Sequence, residues 1–322
     1  MRSLKYMMSL LLSAALLTGC ASTGQSQTKE GGSPAATRAI SGPEIRELNI
    51  LTSSPHLAEM VQTLSEPNHH VDYMAETEEQ LKSLAPDPAL MEEKPYDAFF
   101  YVGAGYEPFL SEFTGGLDKN RVYVVNVSRG IDVERHQVNK LDIENYYYLT
   151  NSTNYKIGLN SIKNALTELD PARRTIYNEN FLKLSREIDQ IQNEIRDFME
   201  DRKDVIFISD SDLVTYTASE YGKELLTMTQ FIERMAKQTS GSTQGLDTQG
   251  SSVSVSKSTD NYQGENRIFL YSEDVAIQKY SEDIVRYGLL PVKIHLYNEN
   301  LSLMDSFYGT FREIRKAIET RE

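Results

Sequence analysis

Residues 171–200, PARRTIYNENFLKLSREIDQIQNEIRDFME, decide the architecture because they predict one unusually long helix. Their apolar residues recur in steps that alternate between three and four, which places them on one face of a helix. Such a helix would be about 45 Å long at 1.5 Å per residue. Asp170 can cap its start, and Pro171 suits its first turn. The stripe comprises Phe181, Leu184, Ile188, Ile191, Ile195 and Phe198.

The same stripe is compatible with a coiled coil. It continues for fewer than about four heptads, however, whereas coiled coils usually sustain the pattern over at least three to four. The sequence therefore favours a long helix that packs on its own domain. A second amphipathic stretch, residues 154–169, comes directly before it.

Strand-like apolar segments alternate with amphipathic helical stretches on both sides of this helix. Such alternation predicts βαβ units and parallel sheets. The sequence thus predicts an α/β fold of two βα lobes with parallel-type sheets, joined by one long backbone helix. The predicted strands are 47–52, 71–74, 97–102, 121–127, 205–209, 267–271 and 292–296, and the other predicted helices are 55–64, 213–221, 277–287 and 303–319.

The N-terminus predicts a lipoprotein signal peptide. Arg2 and Lys5 precede an apolar run, residues 7–17, that is too short to span a bilayer as a helix. The run ends in Leu17-Thr18-Gly19-Cys20, an apolar residue and two small ones before a cysteine, which predicts a lipid on Cys20. An ordinary signal peptide with a chance cysteine, or a buried apolar helix, is the alternative.

Cys20 is the one cysteine of the chain, so the folded part has neither a disulfide nor a thiolate metal site. The polar residues after it cannot bury enough surface to fold. The expected organisation is a signal peptide at 1–19, a flexible tether at 20–42, an N-terminal α/β lobe at 43–153, linking helices at 154–200, and a C-terminal α/β lobe at 201–322 with a mobile loop at 240–266.

The charge balance excludes one class of partner. The chain has 33 basic and 47 acidic residues and a formal net charge of −14. Nucleic acid is not an expected partner, because its binding needs a basic surface.

We expect a monomer held at the extracytoplasmic face of the cell membrane by its lipid.

Five segments, spread through nearly all of the folded chain, resemble one known family in order and spacing. They are 96–110 (YDAFFYVGAGYEPFL), 122–131, 155–180, 205–221 and 267–296. With the signal peptide, they make the chain similar to the TroA-like solute-binding lipoproteins of zinc and manganese ABC transporters. The resemblance implies a protein that binds a small solute or metal ion between two lobes, closes only modestly, and docks on an ABC permease.

The family's usual metal ligands are substituted here. The family typically holds one divalent cation with His and carboxylate side chains, which suit zinc and manganese. Where it has its first His, this chain has residues 75–79 with Glu76, and at the next three ligand positions it has Tyr146, Ser211 and Tyr297. The resemblance therefore implies an interlobe pocket formed by Glu76, Tyr146, Ser211, Asp212, Tyr297 and Asn298.

These substitutions leave no confident metal ligand. Tyr and Ser hydroxyls bind a cation well only after losing a proton. A zinc or manganese ion is expected only if the altered site still functions, and no other cofactor is expected. A register shift of one or two residues would bring in Asp210, Asp212, Glu76 or Glu78. Such an all-oxygen site would favour manganese, magnesium or calcium.

Three further patterns suggest structural roles. His69-His70 reads as a polar loop, with a surface metal relay as the alternative. His295 reads as a partly buried strand residue. Gly103-Ala104-Gly105 follows a strand but lacks the third glycine of a dinucleotide site, so it predicts a tight turn.

The chain offers no nucleophile elbow and no phosphate-binding loop, so an enzyme is not expected. The leading hypothesis is a solute-binding lipoprotein of a metal-type ABC transporter, or a paralogue with an altered interlobe site. The alternative is a surface lipoprotein, an adhesin or an assembly factor, that uses the same scaffold without metal.

Overall fold

The first half of the chain forms a four-stranded parallel sheet flanked by helices. The computed structural model describes residues 45–321 except 66, 139–140, 242–265 and 299. The elements are β1 (Asn49–Thr52), α1 (Pro55–Ser65), β2 (His70–Tyr73), α2 (Glu78–Ser83), α3 (Leu90–Glu93), β3 (Ala98–Tyr101), α4 (Leu110–Gly115) and β4 (Tyr123–Asn126). The strands lie in the order β2-β1-β3-β4, and all pairs are parallel.

A connecting region links this sheet to the second half. It contains an antiparallel hairpin, two short 3-10 helices and the two longest helices of the described residues. Its elements are β5 (Arg135–Val138), β6 (Leu141–Glu144), the 3-10 helix Tyr146–Thr150, α5 (Ser152–Leu169), the 3-10 helix Pro171–Arg173 and α6 (Arg174–Glu200).

The second half forms another four-stranded parallel sheet, with strand order β10-β9-β7-β8. It comprises β7 (Val205–Ser209), the 3-10 helix Asp212–Val214, α7 (Thr215–Glu220), β8 (Leu225–Thr227), α8 (Met228–Gly241), β9 (Asn266–Tyr271), α9 (Asp274–Lys279), α10 (Ser281–Tyr287), β10 (Leu290–Lys293) and α11 (Leu303–Glu319).

The two sheets share one topology. In each, the first strand lies between the second and the third, and the fourth strand follows the third. The winding direction therefore reverses between β1 and β3 and again between β7 and β9. In open α/β sheets, ligands bind beyond the carboxyl ends of the strands at such a reversal.

Helix α6 holds the two halves together. Its buried stripe of Leu184, Ile188, Ile191 and Ile195 is at most 6 % exposed. The helix packs against α1 of the first half, α5 of the connecting region and α11 of the second half. The predicted α/β fold with two parallel sheets and one long helix is thus confirmed. Among the described residues, every helix is too short or too polar to cross a bilayer.

Two element predictions were wrong. Residues 277–287 form parts of two helices, because Tyr280 leaves helical geometry and packs against Phe269 at a ring distance of 6.0 Å. The predicted strand 292–296 is instead β10, shifted toward the N-terminus, because its partner strand ends at Tyr271. Pro291 is tolerated there because β10 is an edge strand.

The hairpin β5–β6 and the edge strand β8 were not predicted. The tight turn at Gly103-Ala104-Gly105 is confirmed, since all three residues have positive φ. The signal peptide, Cys20 and the tether through residue 42 lie outside the described residues, as does most of the predicted loop 240–266.

Asp170 does not cap the helix that follows it, which corrects the prediction. Its carboxylate instead accepts from Arg173 Nη1 (2.8 Å) and from the Tyr177 hydroxyl (2.9 Å). The same hydroxyl lies 2.7 Å from His69 Nε2, and His69 Nδ1 accepts from the Leu48 amide at 3.2 Å. Because Nδ1 accepts and Tyr177 donates to Asp170, Nε2 carries the proton. This chain of bonds ties the residues before β1 and β2 to the start of α6.

The hydrogen-bonded His69 makes stability depend on pH. Burial, and then the charge of Arg173, lower the pKa of His69. On acidification through about 6.5, the usual histidine pKa, the unfolded chain takes up a proton that the folded chain does not, so the free energy of unfolding falls. Between pH 7.5 and 5.5 the wild type should therefore lose up to about 1 kcal/mol more than His69→Gln in urea titrations. Parallel pH profiles for the two proteins would contradict this.

Candidate interlobe site

Four tyrosines from both halves of the chain are in mutual contact, and we name them the tyrosine cluster. Tyr106 follows β3, Tyr146 and Tyr147 open the 3-10 helix before α5, and Tyr297 follows β10. Ring centroids are 4.6 Å apart for Tyr146–Tyr147, 5.1 Å for Tyr106–Tyr146, 5.2 Å for Tyr147–Tyr297 and 5.5 Å for Tyr106–Tyr297. These are ordinary aromatic packing distances. The cluster therefore occupies the region beyond the strand ends of both sheets.

Tyr297 is the contribution of the second half to this cluster. Its hydroxyl donates to the backbone carbonyl of Tyr146 (2.6 Å) and accepts from the Leu149 amide (3.3 Å). The ring of His56, in the first turn of α1, is 5.3 Å from the Tyr297 ring. One side chain thus joins the two halves through both hydrogen bonds and ring contacts.

Glu78 holds the other hydroxyl groups. It lies in the first turn of α2, which Thr77 caps through its side chain. Tyr146 donates to Glu78 Oε1 (2.9 Å) and Tyr147 donates to Oε2 (2.8 Å). Lys82, one turn later, lies 2.5 Å from Glu78 Oε1 and donates to the Tyr146 hydroxyl at 3.1 Å. Each carboxylate oxygen of Glu78 therefore accepts at least one hydrogen bond, and Lys82 of the same helix balances the negative charge.

The phenols of the cluster stay protonated at physiological pH. Burial raises the pKa of all four tyrosines. The negative charge of Glu78 raises the pKa further for Tyr106, Tyr146 and Tyr147, although the hydrogen bond from Lys82 opposes the rise at Tyr146. Since the ordinary tyrosine pKa is already about 10, phenolate is negligible near pH 7. A neutral phenol is a weak metal ligand, so the cluster offers hydrogen bonds and aromatic surface instead of strong ligands.

The donor set does not fit a zinc or manganese ion. Glu78 is the carboxylate that contacts the cluster, and its oxygens already accept from two phenols and Lys82. In the part of the chain that the structure describes, no group of three or more His, Cys, Asp or Glu residues could hold a metal ion. The arrangement can seal the interlobe region, whereas it has too few strong ligands for a cation.

The six predicted pocket residues have different positions. Tyr146 and Tyr297 are in direct contact, and Asn298 lies beside them with its amide 3.3 Å from His295 Nδ1. Glu76 is exposed and uses its backbone amide to bond Gln80.

Ser211 and Asp212 belong to a separate local structure. Ser211 caps the 3-10 helix that Asp212 begins, and its Oγ accepts from the Leu213 amide at 3.1 Å. Within the described residues, neither side chain hydrogen-bonds to the tyrosine cluster. Asn145 provides an indirect link, because it precedes Tyr146 and donates to the Leu213 carbonyl at 3.0 Å.

Sequence reasoning did not assign Tyr106, Tyr147 or His56 to the pocket, and it considered Glu78 only under a shifted register. The run Tyr146-Tyr147-Tyr148 was a usable signal, since it places further phenol groups directly beside the residue assigned to the pocket, and the Tyr146 and Tyr147 rings are 4.6 Å apart. The position of Tyr106 was harder to predict, because it depends on the turn after β3 and on a contact with Tyr297, which is distant in the chain.

An open cleft of about 750 Å³ lies beside the cluster. The first half contributes the beginning of α2 to its wall, and the second half contributes the residues after β9 and β10. Tyr147 and Tyr297 of the tyrosine cluster are among the residues that line it. Its polar lining includes Glu78, Glu79, Lys82, Glu273, Lys293, His295 and Asn298.

Known structures share this architecture. The metal-dependent lipoprotein YcdH from Bacillus subtilis superposes with a TM-score of 0.61 at 12 % identity, covering 84 % of this chain and 98 % of YcdH. The SBP FpvC from Pseudomonas aeruginosa in complex with Mn²⁺ has a TM-score of 0.61, 13 % identity, and coverages of 86 % and 100 %. A metal-free mutant of the periplasmic metal-binding protein from Candidatus Liberibacter asiaticus has a TM-score of 0.62, 13 % identity, and coverages of 84 % and 100 %.

Two similar parallel sheets bridged by one long helix define the class of solute-binding proteins with a helical backbone. The family described as ZnuA, "Zinc-uptake complex component A periplasmic", matches residues 50–253. The chain belongs to this family, which confirms the resemblance found in the sequence. Comparison with curated proteins finds no significant match.

Removing the Tyr297 hydroxyl should weaken the contact between the two halves. Tyr297→Phe leaves the Tyr146 carbonyl and the Leu149 amide without their partner, at a cost of about 1–3 kcal/mol in the free energy of unfolding. Tyr73→Phe is the matched control, because Tyr73 is 45 % exposed, and it should change that value by less than about 0.5 kcal/mol. Urea titrations measure both, and equal stability of the two variants would show that the hydroxyl contributes nothing.

Proposed function

We propose that this chain is an extracytoplasmic, lipid-anchored paralogue of the metal-type solute-binding proteins, in which the tyrosine cluster replaces the interlobe metal site. The supporting observation is the position of Tyr297, whose hydroxyl bonds the Tyr146 carbonyl where the family's ligand residues would meet. The phenols are neutral, and Glu78 is one carboxylate already engaged by Tyr146, Tyr147 and Lys82, so zinc and manganese would find too few strong ligands.

The lipid anchor of the proposal rests on the sequence. Leu17-Thr18-Gly19-Cys20 ends an apolar run that follows two basic residues, as in lipoprotein signal peptides. A lipid on Cys20 would hold the folded part at the outer face of the cell membrane.

A role beside an ABC permease remains part of the proposal, because the fold and the cleft between the two halves are retained. In this reading the protein binds a solute other than a tightly held metal ion, as a monomer. The cleft lined by Glu78, Lys82, His295 and Asn298 is the space available for such a solute.

The second candidate is a surface lipoprotein that acts without transport, as an adhesin or an assembly factor. The contact that favours it is again the Tyr297 hydroxyl, which ties the two halves together without a ligand. A scaffold closed by its own side chain can present one constant surface to a partner. Neither candidate requires catalysis.

Metal titration tests the altered site. With Cys20→Ser and the signal peptide removed, the chelator-treated protein should show no binding of zinc or manganese at micromolar concentrations by calorimetry. Binding at micromolar affinity or tighter would contradict the proposal and favour a conventional metal transporter.

A designed variant provides the positive control. Tyr146→His places an imidazole at the position that contacts Glu78, and Tyr297→Asp places a carboxylate at the position that contacts the backbone of residue 146. Imidazole and carboxylate are donor types that zinc prefers. Zinc should then bind and raise the melting temperature, because a ligand of the folded state stabilises it. Tyr73→His adds an imidazole at an exposed position and should produce neither effect.

The anchor is tested in cells. Radiolabelled palmitate should be incorporated into the wild type and into Thr18→Ser, which keeps a small residue before the cysteine. Cys20→Ser should lose the label and leave the membrane fraction. Labelling that persists in Cys20→Ser would refute lipidation at this residue.

A further inference from the structure

A small cavity lies where helices from both halves of the chain meet. Its volume is about 20 Å³. Its wall also includes His295, which lines the open cleft as well, so both spaces border this residue. The lining also includes Ile195 of α6, Thr217 and Glu220 of α7, and Ser306 and Thr310 of α11.

Ser306 presents an unsatisfied polar atom to this cavity. The residue is 6 % exposed, and its Oγ makes no hydrogen bond with the described residues. Leaving a buried hydroxyl unpaired costs free energy comparable to a lost hydrogen bond. Buried polar atoms of this kind are usually paired with ordered water when protein partners are absent.

Glu220 supplies an acceptor in the same wall. Its carboxylate accepts from the Ser152 amide (2.7 Å) and from Ser152 Oγ (2.5 Å), at the start of α5. Each carboxylate oxygen can accept more than one hydrogen bond. Burial raises the pKa of Glu220, and the bonds from Ser152 oppose that rise. A further hydrogen-bond donor that reaches the Glu220 carboxylate would therefore stabilise its charged form.

We propose that this cavity is a binding site for one water molecule, which bridges Ser306 Oγ on α11 to the Glu220 carboxylate on α7. The volume exceeds the roughly 10–15 Å³ that a single water needs. Hydroxyl groups and a carboxylate supply the two or more polar partners that keep a buried water in place. The site holds a neutral ligand, because one carboxylate already engaged by Ser152 is a poor basis for a cation site.

The location gives this water a mechanical role. The cavity borders α6, α7 and α11, and Glu220 connects it to the start of α5, so the water lies at the joint of the two halves. A hydrated joint can shift slightly and re-form its bonds, whereas a dry, close-packed one loses contacts with any displacement. His295 is the side chain past which the water would exchange with the cleft.

The sign of one melting-temperature shift tests the proposal. Ser306→Ala, made in the chain from residue 20 onward with Cys20→Ser, should lower the melting temperature by about 2–4 °C, because the water loses a partner. Ser185→Ala is the matched control. Ser185 also lies on a helix with a buried, unpaired Oγ, but it is not among the residues that line the cavity. Its replacement should leave the melting temperature unchanged or raise it.

Two results would overturn the assignment. A dry cavity predicts that Ser306→Ala leaves the melting temperature unchanged or raises it, as is expected of Ser185→Ala, because no bound water would then lose a partner. A cation site predicts a higher melting temperature in sodium chloride than in potassium chloride at equal ionic strength, whereas a water site predicts no difference. A high-resolution crystal structure should show density within hydrogen-bonding distance of Ser306 Oγ and of Glu220.

Discussion

Helix α6 has one apolar stripe, and helices from both halves of the chain must cover it at the same time. Ile188, Ile191 and Ile195 are fully or almost fully buried there, and the helix packs against α1, α5 and α11. Each such side chain gains about 1.5–3 kcal/mol from burial. A large rotation of one half would uncover part of the stripe and forfeit that gain. The relative position of the two sheets is therefore set chiefly by this helix, and the distance between their strand ends follows from it.

The tyrosine cluster fits the relative position of the two sheets that α6 sets. With the strand ends held close, the residues after β3 and β10 must meet, and their polar groups must be satisfied out of water. A tyrosine can fill such a space and satisfy polar groups at the same time, since its ring packs against other rings while its hydroxyl makes one or two hydrogen bonds. Tyr297 reaches the Tyr146 carbonyl, and Glu78 accepts from Tyr146 and Tyr147. The site is thus filled by the chain's own side chains.

Local patterns in the sequence were sufficient to predict the fold, but they indicated only part of the candidate site. The stripe of α6 and the apolar strands are periodic within a single segment, so they could be predicted from it. The hairpin β5–β6 has exposed Leu141 and Ile143 and lacks a buried face that would reveal it. The site depends on residues as far apart in the chain as Tyr106 and Tyr297, whose ring contact is a consequence of tertiary packing. The family resemblance assigned Tyr146 and Tyr297 to one predicted pocket, and the structure places them in contact, whereas the positions of Glu78 and Tyr106 follow only from the three-dimensional structure.

Membership of the family is compatible with the proposed change of its site, because a scaffold and its site can change separately. A metal site without its metal gathers His and carboxylate groups that repel one another or remain unpaired. Replacing those ligands one at a time would leave such groups behind, at several kcal/mol each when a charge is buried. Tyr146 and Tyr297 leave no buried charge, but each depends on the other. The Tyr297 hydroxyl donates to the Tyr146 carbonyl, and both rings contact Tyr106 and Tyr147. The cluster is therefore best understood as one coupled unit, in which the effect of each residue depends on its neighbours.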